Sequence, residues 1–507
     1  MRDLVELVNL INRTKLKSNE LMKAVIEPGS KMERLFDGLL DKTVQEDDDV
    51  KILFKGEEDI NVPSLKNKLK ERLLDAIFLL DFKDANYSTR QKAFFECYKK
   101  WSAAITLLIR NAKIIGIDQL ERLLRHTKHF EFTELTLDIL RTLRLQYSTV
   151  DGDMDKYEAI KKQYAEYEQI WQMESKAELY YSELMAQYTN SKSTKTEVMD
   201  QAQRYYDELK DFMEVCPSFK LHLFGRMVHL LIYNSVNDYV NTARLCEDAI
   251  AFFDQKSYDS GLPLQVFYYN LIVCYLQLGE FDKGQQVISR CEYYFEEGSF
   301  NWFKLQELFF LLAMRTGHYE EGYHLYEKVT NYPRFKDKQP QIVEMWNIFQ
   351  AYIFYLIKVG KVREDVLSER SKKFKMSKFI NDISLFTKDK RGMNISILIV
   401  QILYAVAERD YDKSVDRIET IDKYCSRYLK EKDTLRSNCF IKMLLQVPIA
   451  NFHREATSRK ADRYLKMLKS EEAGSASQAH EIEIVPYEAL WDMAIESLQL
   501  KIYKKRS

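Results

Sequence analysis

His126 and His129 stand three residues apart, with Glu131 and Glu134 close behind. Two histidines at that spacing can share a helix face and hold a metal ion. The catalytic zinc motif of a helix, His-Glu-x-x-His, is absent, so the four residues read as a polar helix end and no metal is expected. The pairs His222/His229 and His318/His324 have still weaker ligand spacing.

Other chemistry is equally hard to find. The sequence holds no Gly-x-x-x-x-Gly-Lys-Ser/Thr, no Gly-x-Gly-x-x-Gly and no Gly-x-Ser-x-Gly, so neither a phosphate cradle nor a nucleophile elbow is written in it. Cys97, inside Phe94-Phe-Glu-Cys-Tyr98, reads as a buried helix residue rather than a nucleophile. No catalytic residues and no cofactor are expected, and the chain is not expected to be an enzyme.

A basic stretch is the most suggestive motif. Residues 370–391 carry Arg370, Lys372, Lys373, Lys375, Lys378, Lys388, Lys390 and Arg391 against two acids, Asp382 and Asp389. Phe374, Phe379 and Phe386 are interleaved, as on a surface that grips phosphates and stacks bases. Acidic peptides would suit the same chemistry. The plainer alternative is an amphipathic helix whose lysines are solvated and whose phenylalanines are core.

The elements that position these residues follow from composition. Apolar residues make up 46% and charged residues 30%, which is globular rather than disordered. Only 15 glycines and 8 prolines serve 507 residues, too few for the many tight turns of sheets, so long helices with short connections are expected. Such a length must split into domains or stack repeats. The 76 basic and 77 acidic residues balance, which argues against wholesale coating of nucleic acid. Seven scattered cysteines without a Cys-x-x-Cys pair suit a reducing compartment. Acids interrupt the apolar residues of Met1-Arg-Asp-Leu-Val-Glu-Leu, and no run of 18 uncharged apolar residues occurs. A cytoplasmic chain without signal peptide or membrane span is expected.

Residues 1–40 predict two amphipathic helices broken at Pro28-Gly29, followed by an acidic loop containing Asp47, Asp48 and Asp49. After Pro63, Ser64 is placed to cap a helix through Leu65, Leu69, Leu73, Ile77 and Leu80. Further on the chain repeats itself. Within Asn270–Cys291 a helix ends at Gly279, an aromatic follows at Phe281, a small residue sits at Gly284, and Ile288 and Cys291 continue the stripe. The same grammar runs through Phe309, Ala313, Gly317, Tyr319, Gly322, Tyr326 and Val329. A third unit runs Leu230, Tyr233, Asn237, Tyr239, Thr242, Cys246 and Ala249, and a fourth Ile402, Ala405, Arg409, Tyr411, Ser414, Ile418 and Ile421. Gly or Asn ends a helix in the left-handed region at low cost, and the small residue lets the antiparallel partner approach. The positions Tyr239, Phe281, Tyr319, Val362 and Tyr411 are separated by 42, 38, 43 and 49 residues. Weaker units are placed around Ile117, Tyr157 and Val198.

These residues resemble the tetratricopeptide repeat family, whose first helix carries Leu/Gly/Tyr and whose second carries Ala/Phe/Ala. Leu271, Tyr275, Gly279, Phe281, Gly284, Ile288 and Cys291 match that pattern, although the period exceeds the family's 34 residues. The chain is also similar to uncharacterised cytoplasmic repeat proteins of the Bacteroidetes, a likeness that carries no function. The resemblance implies an all-α, right-handed α–α superhelix (a TPR-like solenoid) of stacked antiparallel helix pairs. Its expected parts are N-terminal helices and the acidic loop (1–63), divergent repeats (64–215), TPR-like repeats (216–440) and C-terminal capping helices (441–507). It also implies a concave groove for a protein or peptide. Phe224, Met227, Leu231 and Asn234 would begin that groove, Tyr269, Val273 and Gln277 continue it, and Lys304, Glu307, Leu311 and Arg315 complete it. The expected function is a binding scaffold or adaptor. The alternative is a regulator that contacts nucleic acid or another polyanion through Lys372, Lys373, Lys375, Lys378, Lys388, Lys390 and Arg391.

Overall fold

The structure is a computed structural model that describes residues 1–13, 25–55, 61–77, 89–189, 195–367, 393–409, 415, 418, 435–470 and 483–500. The described residues form helices and no strand. In chain order the helices are α1 (Arg2–Arg13), α2 (Lys31–Leu40), α3 (Asp47–Leu53), α4 (Val62–Ile77), α5 (Thr89–Ile109), α6 (Lys113–His129) and α7 (Thr133–Gln146). They continue with α8 (Met154–Thr189), α9 (Lys195–Val215), α10 (Phe219–Ser235), α11 (Tyr239–Asp254), α12 (Gly261–Leu278), α13 (Phe281–Cys291) and α14 (Phe300–Arg315). The last are α15 (Tyr319–Thr330), α16 (Pro340–Lys358), α17 (Met393–Ala407), α18 (Leu435–Ile449), α19 (Arg454–Leu468) and α20 (Tyr487–Ser497). Consecutive helices pack in adjacent pairs, as in α5–α6, α14–α15 and α18–α19. None among the described residues is long and apolar enough to cross a membrane.

The chain divides into two compact units. One comprises Met1–Ser182, Asp207–Gly225 and Asp254–Gly261; the other comprises Glu183–Tyr206, Arg226–Phe253 and Leu262–Ser507. The first unit has a core of α1, α2 and α4 built on Leu4, Val8, Leu35, Leu69 and Leu73. A further core joins Cys97, Leu120, Leu123, Ile139 and Leu140 of α5–α7. In the second unit α16 is buried nearly all round, at Trp346, Phe349, Tyr352 and Tyr355. Burying each such side chain contributes roughly 1.5–3 kcal/mol. The Tyr352 hydroxyl donates to the Ser396 carbonyl at 3.1 Å, which ties α16 to α17.

Two local expectations need correction. Asp47–Asp49 are helical, because Asp49 accepts from the Gln45 and Glu46 amides at 2.8 and 2.9 Å and closes a capping box that starts α3. Ser64 lies inside α4 rather than capping it: the side chain of Asn61 accepts from the Ser64 amide at 3.0 Å. The break at Pro28-Gly29 is present, with Gly29 at φ 75° and Ser30 capping α2.

The repeat grammar has a physical basis in one turn. Asn237, Gly279, Gly317 and Gly360 all have φ between 60° and 82°. In each case the next amide donates back five residues: Asp238 to the Tyr233 carbonyl and Glu280 to Tyr275 at 3.0 Å, His318 to Ala313 and Lys361 to Leu356 at 2.8 Å. This closes the last helical turn and reverses the chain at fixed geometry. Arg409 shares the left-handed conformation, while Tyr411, Ser414 and Ile421 lie outside the described residues. The small residues are also required. A Cβ on Gly284 would fall 2.3 Å from Leu312 Cδ2, and one on Gly322 2.9 Å from Met314 Sδ.

Candidate functional site

Helices α12 and α14, the first members of successive helix pairs, flank a cleft of about 430 Å³ in the second unit. Its floor is Val266 and Phe295, its rim Leu262, Tyr269 and Phe300, and Gln265, Asn270, Asn301 and Lys304 supply polar atoms. Leu262 is 62% and Phe300 44% exposed, large for apolar side chains facing a concavity. Ser299 caps α14 by accepting from the Trp302 amide at 3.1 Å, fixing the helix start that presents Phe300 and Asn301. Gln265 donates to the Tyr294 carbonyl at 2.5 Å and so holds the connection that carries Phe295. Asn270 spends one amide hydrogen on the Val266 carbonyl at 2.8 Å, leaving its oxygen free of that bond. Lys304 pairs with Glu307 at 2.6 Å. Burial first, then the charge of Glu307, pushes the Tyr269 phenol up, so it is a neutral donor at physiological pH.

The sequence-derived groove residues are distributed unevenly. Tyr269 and Lys304 meet in the cleft. Further along the two helices the Arg315 guanidinium reaches Gln277 Oε1 at 3.3 Å and the Glu483 carbonyl at 2.8 Å, so the chain's own Glu483 covers that end. Leu231 and Leu311 are buried, Val273 is half-buried, and Asn234 accepts from Thr242 at 3.3 Å. Met227 is half-buried; Phe224, in the first unit, packs its ring on Tyr181 at 5.8 Å. Leu262, Gln265, Val266, Phe295, Phe300 and Asn301 were not foreseen. All but Phe295 lie at the N-terminal ends of α12 and α14, where only the helix-start signals Gly261-Leu-Pro263 and Ser299 point to them; Phe295 lies in the connection before α14.

Glu483 is itself held. Arg436 donates to both its carboxylate oxygens at 2.8 and 2.7 Å and to both of Glu488 at 3.0 and 2.7 Å. Ile484 and Val485 beside it are buried. This clamp fixes residues 483–486 against the Arg315 end of α14.

The remaining candidates are accounted for by structure. His126 and His129 are exposed in the last turn of α6, and His129 packs on Phe130 and Tyr258. Glu131 accepts from the Phe219 amide and Lys256, and Glu134 pairs with Lys220. No three His, Cys, Asp or Glu side chains converge for a metal among the described residues. His222 faces the carbonyls of Met213 and Cys216. Burial pushes the Cys97 thiol up to about 11, which keeps it protonated at neutral pH. Lys372, Lys373, Lys375, Lys378, Lys388, Lys390 and Arg391 lie outside the described residues. No family, curated protein or solved structure matches the chain.

Proposed function

We propose that the chain is a helical-repeat scaffold of the tetratricopeptide type, a right-handed superhelix that binds an extended protein segment in the α12–α14 cleft. The observation that carries this reading is the cleft itself: an open apolar floor with the amides of Asn270 and Asn301 on neighbouring helices. A side-chain amide can accept from a peptide N–H and donate to its C=O, while Val266, Phe295 and Phe300 cover an apolar side chain. Binding is reversible burial, with no covalent step. Six of the seven cysteines lie among the described residues, none of them in a disulfide there and five of them buried, which supports a cytoplasmic setting.

The test is selection of extended peptides from a random display library on the full chain, with nucleic acid removed by nuclease. Peptides enriched on the wild type are expected to be lost on Val266→Glu and on Asn301→Asp, both surface-lining changes. Retention of the same peptides by both folded variants would exclude this cleft. Nucleic acid retained by the chain when the nuclease step is omitted would instead favour residues 370–391 as the contact.

A further inference from the structure

A second concavity, of about 250 Å³, lies in the first unit between α7 and α8. Glu134, Leu137, Asp138 and Arg141 line it from α7, at the three-, four- and seven-residue steps that share a helix face. Tyr164, Glu168 and Trp171 line it from α8 by the same rule. Three of these groups already hold cations of the chain. Arg141 pairs with Asp138 at 2.8 Å, and the Arg144 guanidinium stands 4.5 Å from the Tyr164 ring centre. Glu134 is engaged by Lys220 at 3.0 Å.

Glu168 and Trp171 are different. Among the described residues Glu168 has no ion pair or hydrogen bond and Trp171 no ring or cation partner, although the indole is 40% exposed. A carboxylate and an indole one helical turn apart, facing a concavity of side-chain size, offer the two interactions a guanidinium makes best: a charge-assisted hydrogen bond and a stack on an aromatic face. We infer that the α7–α8 cleft receives an arginine side chain of a partner protein, its guanidinium stacked on Trp171 and bonded to Glu168. The occupant is cationic because the one unpaired charge lining the cleft is negative. It is arginine rather than lysine because a planar cation can lie flat on the indole while its edge meets the carboxylate. This site is separate from the α12–α14 cleft and does not depend on it.

The probe is the capped peptide acetyl-Gly-Arg-Gly-amide, with its citrulline counterpart as a neutral isostere and the lysine peptide as a point charge. The readout is tryptophan fluorescence of the full chain. Trp302, Trp346 and Trp491 are buried, and a Trp171→Phe variant supplies the background from the rest. Saturable quenching by the arginine peptide is expected, weakened about tenfold by citrulline and by Glu168→Gln, and lessened by added salt. Glu168→Gln should leave the unfolding midpoint unchanged, since no ion pair is lost. Equal quenching by the citrulline peptide, an unaltered response in Glu168→Gln, or no saturation up to about 10 mM overturns the proposal. Tighter binding of the lysine peptide overturns the choice of arginine.

Discussion

The ring of Phe281 lies flat on the imidazole of His318, with centroids 3.6 Å apart and planes 9° from parallel. Phe281 is the residue two past the turn at Gly279, and His318 directly follows the next turn at Gly317. The stack therefore joins the same landmark of two successive helix pairs, and Phe281 also meets Phe309 of α14 at 6.3 Å. Truncating Phe281 to Ala removes a buried ring from this junction and should cost about 3 kcal/mol. Phe281→Leu should cost less than half as much. Urea titration followed by circular dichroism checks both, and equal costs would mean that stacking geometry, not apolar volume, holds the junction.

The recurring left-handed turn gives a prediction of opposite sign at two equivalent positions. Gly279→Ala introduces a Cβ at φ 72° with no atom nearby, so its cost of about 1 kcal/mol is conformational alone. Arg409 already bears that strain at φ 61°, and Arg409→Gly should release a few tenths to about 1 kcal/mol. Paired thermal melts of the two variants would show the midpoint falling in one and rising in the other.

The helix pairs were legible because this turn leaves a mark: Gly or Asn, then an aromatic two residues later. Asn111 and Glu131 adopt the same conformation, and the amides of Ala112 and Phe132 donate back to Leu107 and Thr127 at 2.9 and 2.8 Å. They escaped notice because Lys113 and Thr133 follow them in place of an aromatic. Ile117 consequently falls within α6 rather than marking a unit. The cleft was half legible for a related reason. Helical spacing aligned Tyr269 with Lys304, but whether a face stays open depends on segments remote in sequence. Glu483 covers Arg315 across 168 residues, and no local pattern encodes that meeting.

Acid should find a weak point at His229. Its ring stacks on Tyr206 at 3.9 Å, and burial, then the positive charge of Arg226, push its pKa down to about 4. In the unfolded chain the imidazole takes up a proton near pH 6.5. The unfolded state thus binds more protons between those values, and stability is lost as pH falls from about 6.5 toward 4. The ring is only partly buried, so the loss is on the order of 1 kcal/mol after allowance for solvent screening. His229→Phe keeps the stack and removes the proton. Its urea midpoint should fall less than the wild type's between pH 7 and pH 5, and identical slopes would acquit this histidine.

Arg436 makes the sharpest stability prediction, because its side chain and that of Glu483 are 12% and 8% exposed. Four of its five bonds hold two carboxylates together, and burial alone would otherwise lower its pKa; the carboxylates raise it instead. Arg436→Met leaves Glu483 and Glu488 without the cation that bonds them both, which should cost about 3–5 kcal/mol. The triple variant Arg436→Met, Glu483→Gln, Glu488→Gln should recover most of that, since no buried charge then lacks a partner. The same change tests what holds residues 483–486 on Arg315. If the clamp holds it, protease should cut near Ile484 and Val485 faster in Arg436→Met than in the wild type, at temperatures where α12–α16 stay folded. Unchanged cutting would mean that the burial of Ile484 and Val485 anchors the segment without the ion pairs.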